Sequence, residues 1–318
     1  MFRWRLAFAS TKPAVVGPDH PPFSAMTHHR AVALMVLVAL LWSLAGVVTR
    51  HLDAARCFEV TFWRSAFNAL ALIIGLSWLR GFGLWRSLRL GGGTLWLSGV
   101  CWAVMFTAFM VALTLTSVAN VLVTMAISPM LTALLSRFIL GHRLPRSTWV
   151  AILVAGCGIA WMFGAQAGEG LLGSLVACLV PLAGAVNLTV LQHAGKVDSG
   201  TPDMLPAVLI GAVLSALLSL PLAWPLQAST HDLVWLAVLG TVQLAIPCLL
   251  MVRLSRELPA PEIALLALLE VIFGVAWAWL GAGEQPTSSV FFGGGLVLAA
   301  LVANEAWALR YATRTVQG

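Results

Sequence analysis

From residue 31 to residue 309 the chain is a succession of apolar runs, each close to 20 residues long and broken by short polar segments. About 20 apolar residues in an α-helix span the ~30 Å hydrocarbon core of a bilayer. Only helices and closed barrels satisfy their backbone groups there, and runs of this length select helices. Only 9% of residues are Asp, Glu, Lys or Arg, whereas 60% are hydrophobic. A soluble domain carries about 25% charged residues, so this chain could not cover its own surface in water. The fold class that follows is an all-α polytopic membrane protein.

Ten runs are expected as transmembrane helices, over 31–50, 58–79, 93–113, 118–137, 148–165, 170–192, 204–224, 233–252, 262–280 and 290–309. The breaks between them contain turn chemistry: GGG at 91–93, GHRLPR at 141–146, KVDSGTPD at 196–203, RELPAPE at 256–262 and GAGEQPTSS at 281–289. Pro261 suits the first turn of the ninth run, with Glu262 at the positive end of its dipole. Residues 1–30 form a basic, Pro-rich extension without the apolar core of a secretory signal, and Met26, just before THHR, is a second candidate start.

Charge gives the orientation. With the N-terminus in the cytoplasm, Arg50 and Arg56 fall outside and Arg64 lies within the second run, leaving the other 15 of 18 basic residues on the inner side. That is the positive-inside bias of a chain with both termini cytoplasmic, including a tail at 310–318. The net charge of +6 therefore reads as a topology signal and not as an affinity for nucleic acid. The five cysteines are scattered singly and give neither a metal spacing nor a disulfide framework.

The chain also has an internal echo. ISPMLTALLSRFILGHRLP at 127–145 is laid out like LEVIFGVAWAWLGAGEQP at 269–286, an offset of 142 residues that puts Gly141 on Gly283 and Ser147 on Ser289. The halves are 31–165 and 170–309. Five helices per half is odd, so the second copy enters the membrane upside down. Such inverted five-helix repeats recur in secondary transporters, with the substrate near the midplane between halves.

Four stretches carry a family resemblance: LLWSLAGVVTRH, FEVTFWRSAFNALAL, VANVLVTMAISPMLTALLSRFILGH and LPAPEIALLALLEVIFGVAWAWLGAGE. In their order and spacing they resemble the EamA-type transporters of the drug/metabolite transporter (DMT) superfamily over residues 31–309. His142 stands where that family usually has a glutamate, and Glu270-Val271 where Glu-Pro is common. The resemblance implies an inner-membrane carrier of small organic molecules, often an exporter, with ten helices around a central cavity. It implies neither an enzyme nor a cofactor, and no HExxH, GxSxG or Gly-rich phosphate loop occurs.

Glu270 is the most informative single residue. It sits in LLALLEVIFG, about 12 Å into the ninth helix when counted from Glu262. A charge at the bilayer centre costs about 2.5–3.5 kcal/mol even on lenient insertion scales. Three readings stand: an acid that couples a proton or binds a cationic substrate group, one half of a structural ion pair with Arg64, or a neutral hydrogen-bonded acid. Arg64, about 9 Å below the outer end of its helix, is either a binding cation or a snorkelling side chain.

Asn68, Asn120, Thr124, Ser128, Asn187, Gln192 and Gln243 are weaker candidates, since helix–helix hydrogen bonds account for most such residues. Pro129 is either a static kink or a hinge that frees a carbonyl. Trp42, Trp63, Trp102 and Trp277 are candidates for stacking on an organic substrate, among fourteen tryptophans that mostly suit interfacial anchoring. AGCG at 155–158 and GGG at 293–295 suit close packing or a homodimer.

The expectation is a secondary carrier of amino acids or related metabolites, directed outward, with Glu270, Arg64, Trp42, Asn68, Ser128, Pro129 and Asn187 at the substrate and Glu270 coupling protons. A channel or a non-transporting interaction subunit is the rival.

Overall fold

The structure, a computed structural model, describes residues 27–55, 57–81, 83–128, 130–132, 134–135, 146–165, 171–196, 203–258 and 260–316. All regular structure among them is helical. The first half supplies α1 (His28–Thr49), α2 (Cys57–Arg80), the short α3 (Gly83–Leu90), α4 (Gly93–Leu115), α5 (Val118–Met125) and α6 (Arg146–Ala165). The second half supplies α7 (Leu171–Lys196), α8 (Leu205–Ala223), α9 (Thr230–Glu257), α10 (Ala260–Ala282) and α11 (Ser288–Val316).

Six of these, α1, α2, α4, α7, α8 and α9, contain spans long and apolar enough to cross a membrane; four shorter apolar helices lie at 118–132, 149–158, 266–282 and 288–304. Their outward surface is oily: Leu153, Leu218, Leu280 and Phe292 are each exposed. A soluble protein rarely carries so large an unbroken apolar surface; lipid is its natural solvent.

Local chemistry sets the ends. Ser117 Oγ accepts from Asn120 N at 3.2 Å and caps α5. Ser229 and Asp232 form a reciprocal capping box, which starts α9 three residues earlier than the apolar run suggests. Two further features depart from the expected layout. GLWRSLRL folds as the amphipathic α3, with Leu84 buried and Trp85, Arg86 and Arg89 exposed. The fourth run is not continuous: α5 stops at Met125, a turn covers 126–127, and helical residues resume at Ser128. A proline at 129 has no N–H for the carbonyl of residue 125, so an unbroken helix is disfavoured there.

Packing runs mostly between the halves, and it is nearly closed under their exchange. α2 packs on α8, α5 on α10 and α6 on α11, each helix against its own counterpart. The remaining major contacts come in exchanged pairs: α4–α7 with α9–α1, α4–α8 with α9–α2, and α1–α10 with α7–α5. Glycines make the closest crossings. A Cβ on Gly99 would lie 2.5 Å from Ile210 Cγ2 on α8, and one on Gly240 would lie 2.6 Å from the Arg64 carbonyl on α2. These two glycines occupy corresponding helices of the two halves. The small residues of α6 and α11 serve the same purpose within the chain, since a Cβ on Gly158 would lie 2.7 Å from Gly293 O.

Candidate functional site

The packing leaves a partly open cavity lined by residues of both halves. Its wall is largely apolar: Trp102, Met105, Phe106 and Phe109 from α4, Met125 from the end of α5, Val180 from α7 and Leu244 from α9. Against it stand Trp42 of α1, Arg64 of α2, Gln243 and Cys248 of α9, and Glu270 of α10. An apolar pocket with a few convergent polar groups is the usual form of a small-molecule site.

Arg64 is 2% exposed, so it does not snorkel to an interface. Its Nε and Nη2 both donate to Gln243 Oε1, at 3.3 and 2.9 Å, and Gln243 Nε2 donates to the Trp42 carbonyl at 3.0 Å. This chain ties α2 through α9 to α1. The Arg64 guanidinium carbon also lies 5.7 Å from the centre of the Phe109 ring, within cation–π range. Nη1 is buried and has no acceptor among the described residues.

Gln243 reaches this position from a π-helical segment, Leu239–Ala245, in the middle of α9. A π-turn carries an extra residue, which turns the side chains beyond it relative to a regular helix. Gly240, in the same segment, lets α9 close on the α2 backbone beside Arg64. Glu270 of α10 lines the same cavity and is partly covered. Arg64 and Glu270 form no salt bridge among the described residues; the arginine's polar contacts go to the neutral Gln243. The two charges nevertheless interact electrostatically across the cavity without a direct hydrogen bond.

The other expected site residues divide. Trp42 lines the cavity. Asn187 does not: its Oδ1 accepts from Ser98 Oγ at 2.6 Å and fastens α7 to α4. Asn68 is fully buried at the α2–α9 crossing, with both amide atoms unpaired among the described residues, and is not in the cavity wall. Ser128 faces α7, 3.6 Å from where a Cβ on Gly184 would lie. Pro129 lies outside the described residues. Trp102 lines the cavity, whereas Trp63 stacks on Phe67 and donates to Glu59 at 3.3 Å, and Trp277 is exposed. The sulfur and phenyl groups of the wall are ordinary apolar residues in sequence, and no motif marks them.

A second polar constellation closes one end of the bundle, where the α1–α2, α4–α5, α8–α9 and α10–α11 connections meet. Asp232, 0% exposed, accepts from the backbone N–H groups of Asp53, Ala54, Ala55 and Ser229 at 2.7, 2.9, 2.9 and 3.2 Å. Glu59 accepts from Gln227 N and Ala228 N, both at 2.7 Å. Glu284 accepts from Val118 N at 2.7 Å and from Arg50 Nε at 3.1 Å, while Arg50 also donates to the Leu113 and Thr116 carbonyls at 2.9 and 3.0 Å. Asp53, His231 and Asp232 stand close enough to suggest a metal set. Asp232, however, already directs both oxygens at four N–H donors, so these residues staple loops instead.

The EamA-like transporter family model matches this chain twice, over residues 29–164 and 171–304. A solved crystal structure of a protein 18% identical to it shares the fold, with a TM-score of 0.62 over 90% of this chain and 98% of the other. No curated protein sequence matches it.

Proposed function

The chain belongs to the EamA-like transporter family, as a multi-pass membrane protein, and on that premise we propose that it is a secondary carrier of amino acids or closely related zwitterions. One observation carries the reading. A cation and an acid, Arg64 and Glu270, stand in one largely apolar cavity without a direct salt bridge between them, and Arg64 Nη1 has no hydrogen-bond partner among the described residues. Charges without a direct partner are costly in hydrocarbon, and a zwitterion in the cavity would give each of them one. The carboxylate of the cargo meets Arg64, its ammonium group meets Glu270, and the Met and Phe wall takes an apolar side chain.

Alternating access is supported by helix contacts that come in matching pairs when the two halves are exchanged. The remaining parts of the proposal rest on the sequence: ten spans in two inverted repeats, both termini cytoplasmic, a location in the inner membrane, outward transport, and Glu270 as the proton-coupling acid.

Exchange in proteoliposomes tests the carrier reading. Labelled leucine uptake is expected to saturate and to accelerate when unlabelled leucine is preloaded. Uptake that is linear with concentration and indifferent to preloading would instead mark a channel.

A further inference from the structure

Two side chains of the cavity wall each carry a buried N–H donor without an acceptor among the described residues. One is Arg64 Nη1 and the other is Trp102 Nε1; each side chain is 2% exposed, and neither atom has a hydrogen-bond partner among the described residues. Orphaned buried donors are uncommon in folded proteins, and each costs its full desolvation unless something is bound there. The carboxylate in the same wall, Glu270, interacts with Arg64 through space without hydrogen-bonding to it. Met105, Phe106, Phe109 and Leu244 are apolar, and the Gln243 oxygen is already shared by Arg64 Nε and Nη2. Those two bonds go to a neutral amide, so the guanidinium touches no anion.

We propose that the indole N–H of Trp102 and Nη1 of Arg64 together form a subsite for a planar carboxylate, and that Trp102 determines specificity for it. The proposal rests on the zwitterion-carrier reading and refines it. A carboxylate offers two oxygens, one for each donor, and its single charge balances the single guanidinium. A phosphate dianion would leave an extra negative charge in a cavity that already holds Glu270. Trp102 is held firmly for this purpose: its ring packs on Phe106 at 5.5 Å between centres, and its Cβ lies against Gly211, where any side chain would displace it. Tryptophan here is thus a donor as well as a wall. Phenylalanine would supply the wall alone.

The test is calorimetric titration of the full chain in nanodiscs with leucine and with leucinamide, for wild type and Trp102→Phe. Leucinamide keeps the amine and the side chain and loses the anion. Wild type should prefer leucine by about tenfold or more, and Trp102→Phe should shrink that preference about tenfold, in line with a hydrogen bond to a charged group. An unchanged preference in a folded Trp102→Phe protein would make Trp102 packing only. The wild-type comparison needs no variant: equal affinity for the two ligands, or binding of leucinamide alone, overturns the carboxylate subsite while leaving a carrier of amines intact. Binding of neither would overturn the amino-acid reading and the subsite with it.

Discussion

The two polar regions of this molecule treat their charges in opposite ways. At the end where α1 meets α2, the carboxylates of Glu59, Asp232 and Glu284 are saturated by backbone N–H groups and by Arg50. In the cavity, Arg64 Nη1 and Trp102 Nε1 have no hydrogen-bond partner among the described residues, and Glu270 shares the wall with them without a direct salt bridge to Arg64. A buried charge that is fully hydrogen-bonded belongs to the architecture. One that is left open in a cavity is matched to something that comes and goes. Burial alone would not separate the two, because Asp232 and Arg64 are both buried; the partners separate them.

Four changes would break or sharpen that contrast. The largest effect is expected from Arg64→Ala, which removes the cavity's cation. Transport of leucine in proteoliposomes should fall about 100-fold, the equivalent of one to two charge-assisted hydrogen bonds. A fall of less than threefold would place the cargo elsewhere. Asp232→Ala should do the reverse. Four backbone donors lose their acceptor, so stability should drop by about 3 kcal/mol or more, read as a lower melting temperature in detergent. Transport per folded molecule should stay near wild type.

Gln243→Leu comes third. It frees Arg64 from its anchor without removing the charge, and the affinity for leucine should weaken about tenfold, with a smaller loss of stability than Asp232→Ala. Were Gln243→Leu indistinguishable from wild type, the chain from Arg64 to Trp42 would be incidental. The smallest effect is expected from Asp53→Asn, which breaks an exposed contact to His231 Nδ1 at 3.0 Å. Stability should change by no more than about 0.5 kcal/mol. Added zinc should leave the melting temperature of wild type where it was, because both Asp232 oxygens already accept backbone N–H bonds that a metal would have to displace or share; a rise would revive the metal reading.

How much of this was legible in the sequence depends on the physical signal each part leaves. Helices of spanning length announce themselves, since hydrocarbon demands long apolar runs. Charges inside those runs announce themselves too, and Arg64 and Glu270 do meet at one cavity. Uncharged polar residues did not sort. The spans are apolar on the lipid side and on the packed side alike, so no amphipathic stripe tells which face of a helix an asparagine occupies. Asn187 turns to Ser98 and Asn68 to the α2–α9 crossing for reasons that lie in the partner helix. Gln243 was harder still, because the π-helical segment breaks the regular spacing on which a helical wheel depends. The capping box at Ser229 and Asp232 was readable as S-x-x-D, and the apolar run simply drowned it.

The contrast rests finally on Glu270, the acid that the architecture leaves open. Leucine exchange in proteoliposomes, wild type against Glu270→Gln, with and without a pH gradient, examines it directly. Wild type should accelerate under the gradient, and Glu270→Gln should retain exchange and lose the response. A folded Glu270→Gln protein that transports and responds like wild type would contradict the account, and Glu270 would join Asp232 as part of the frame.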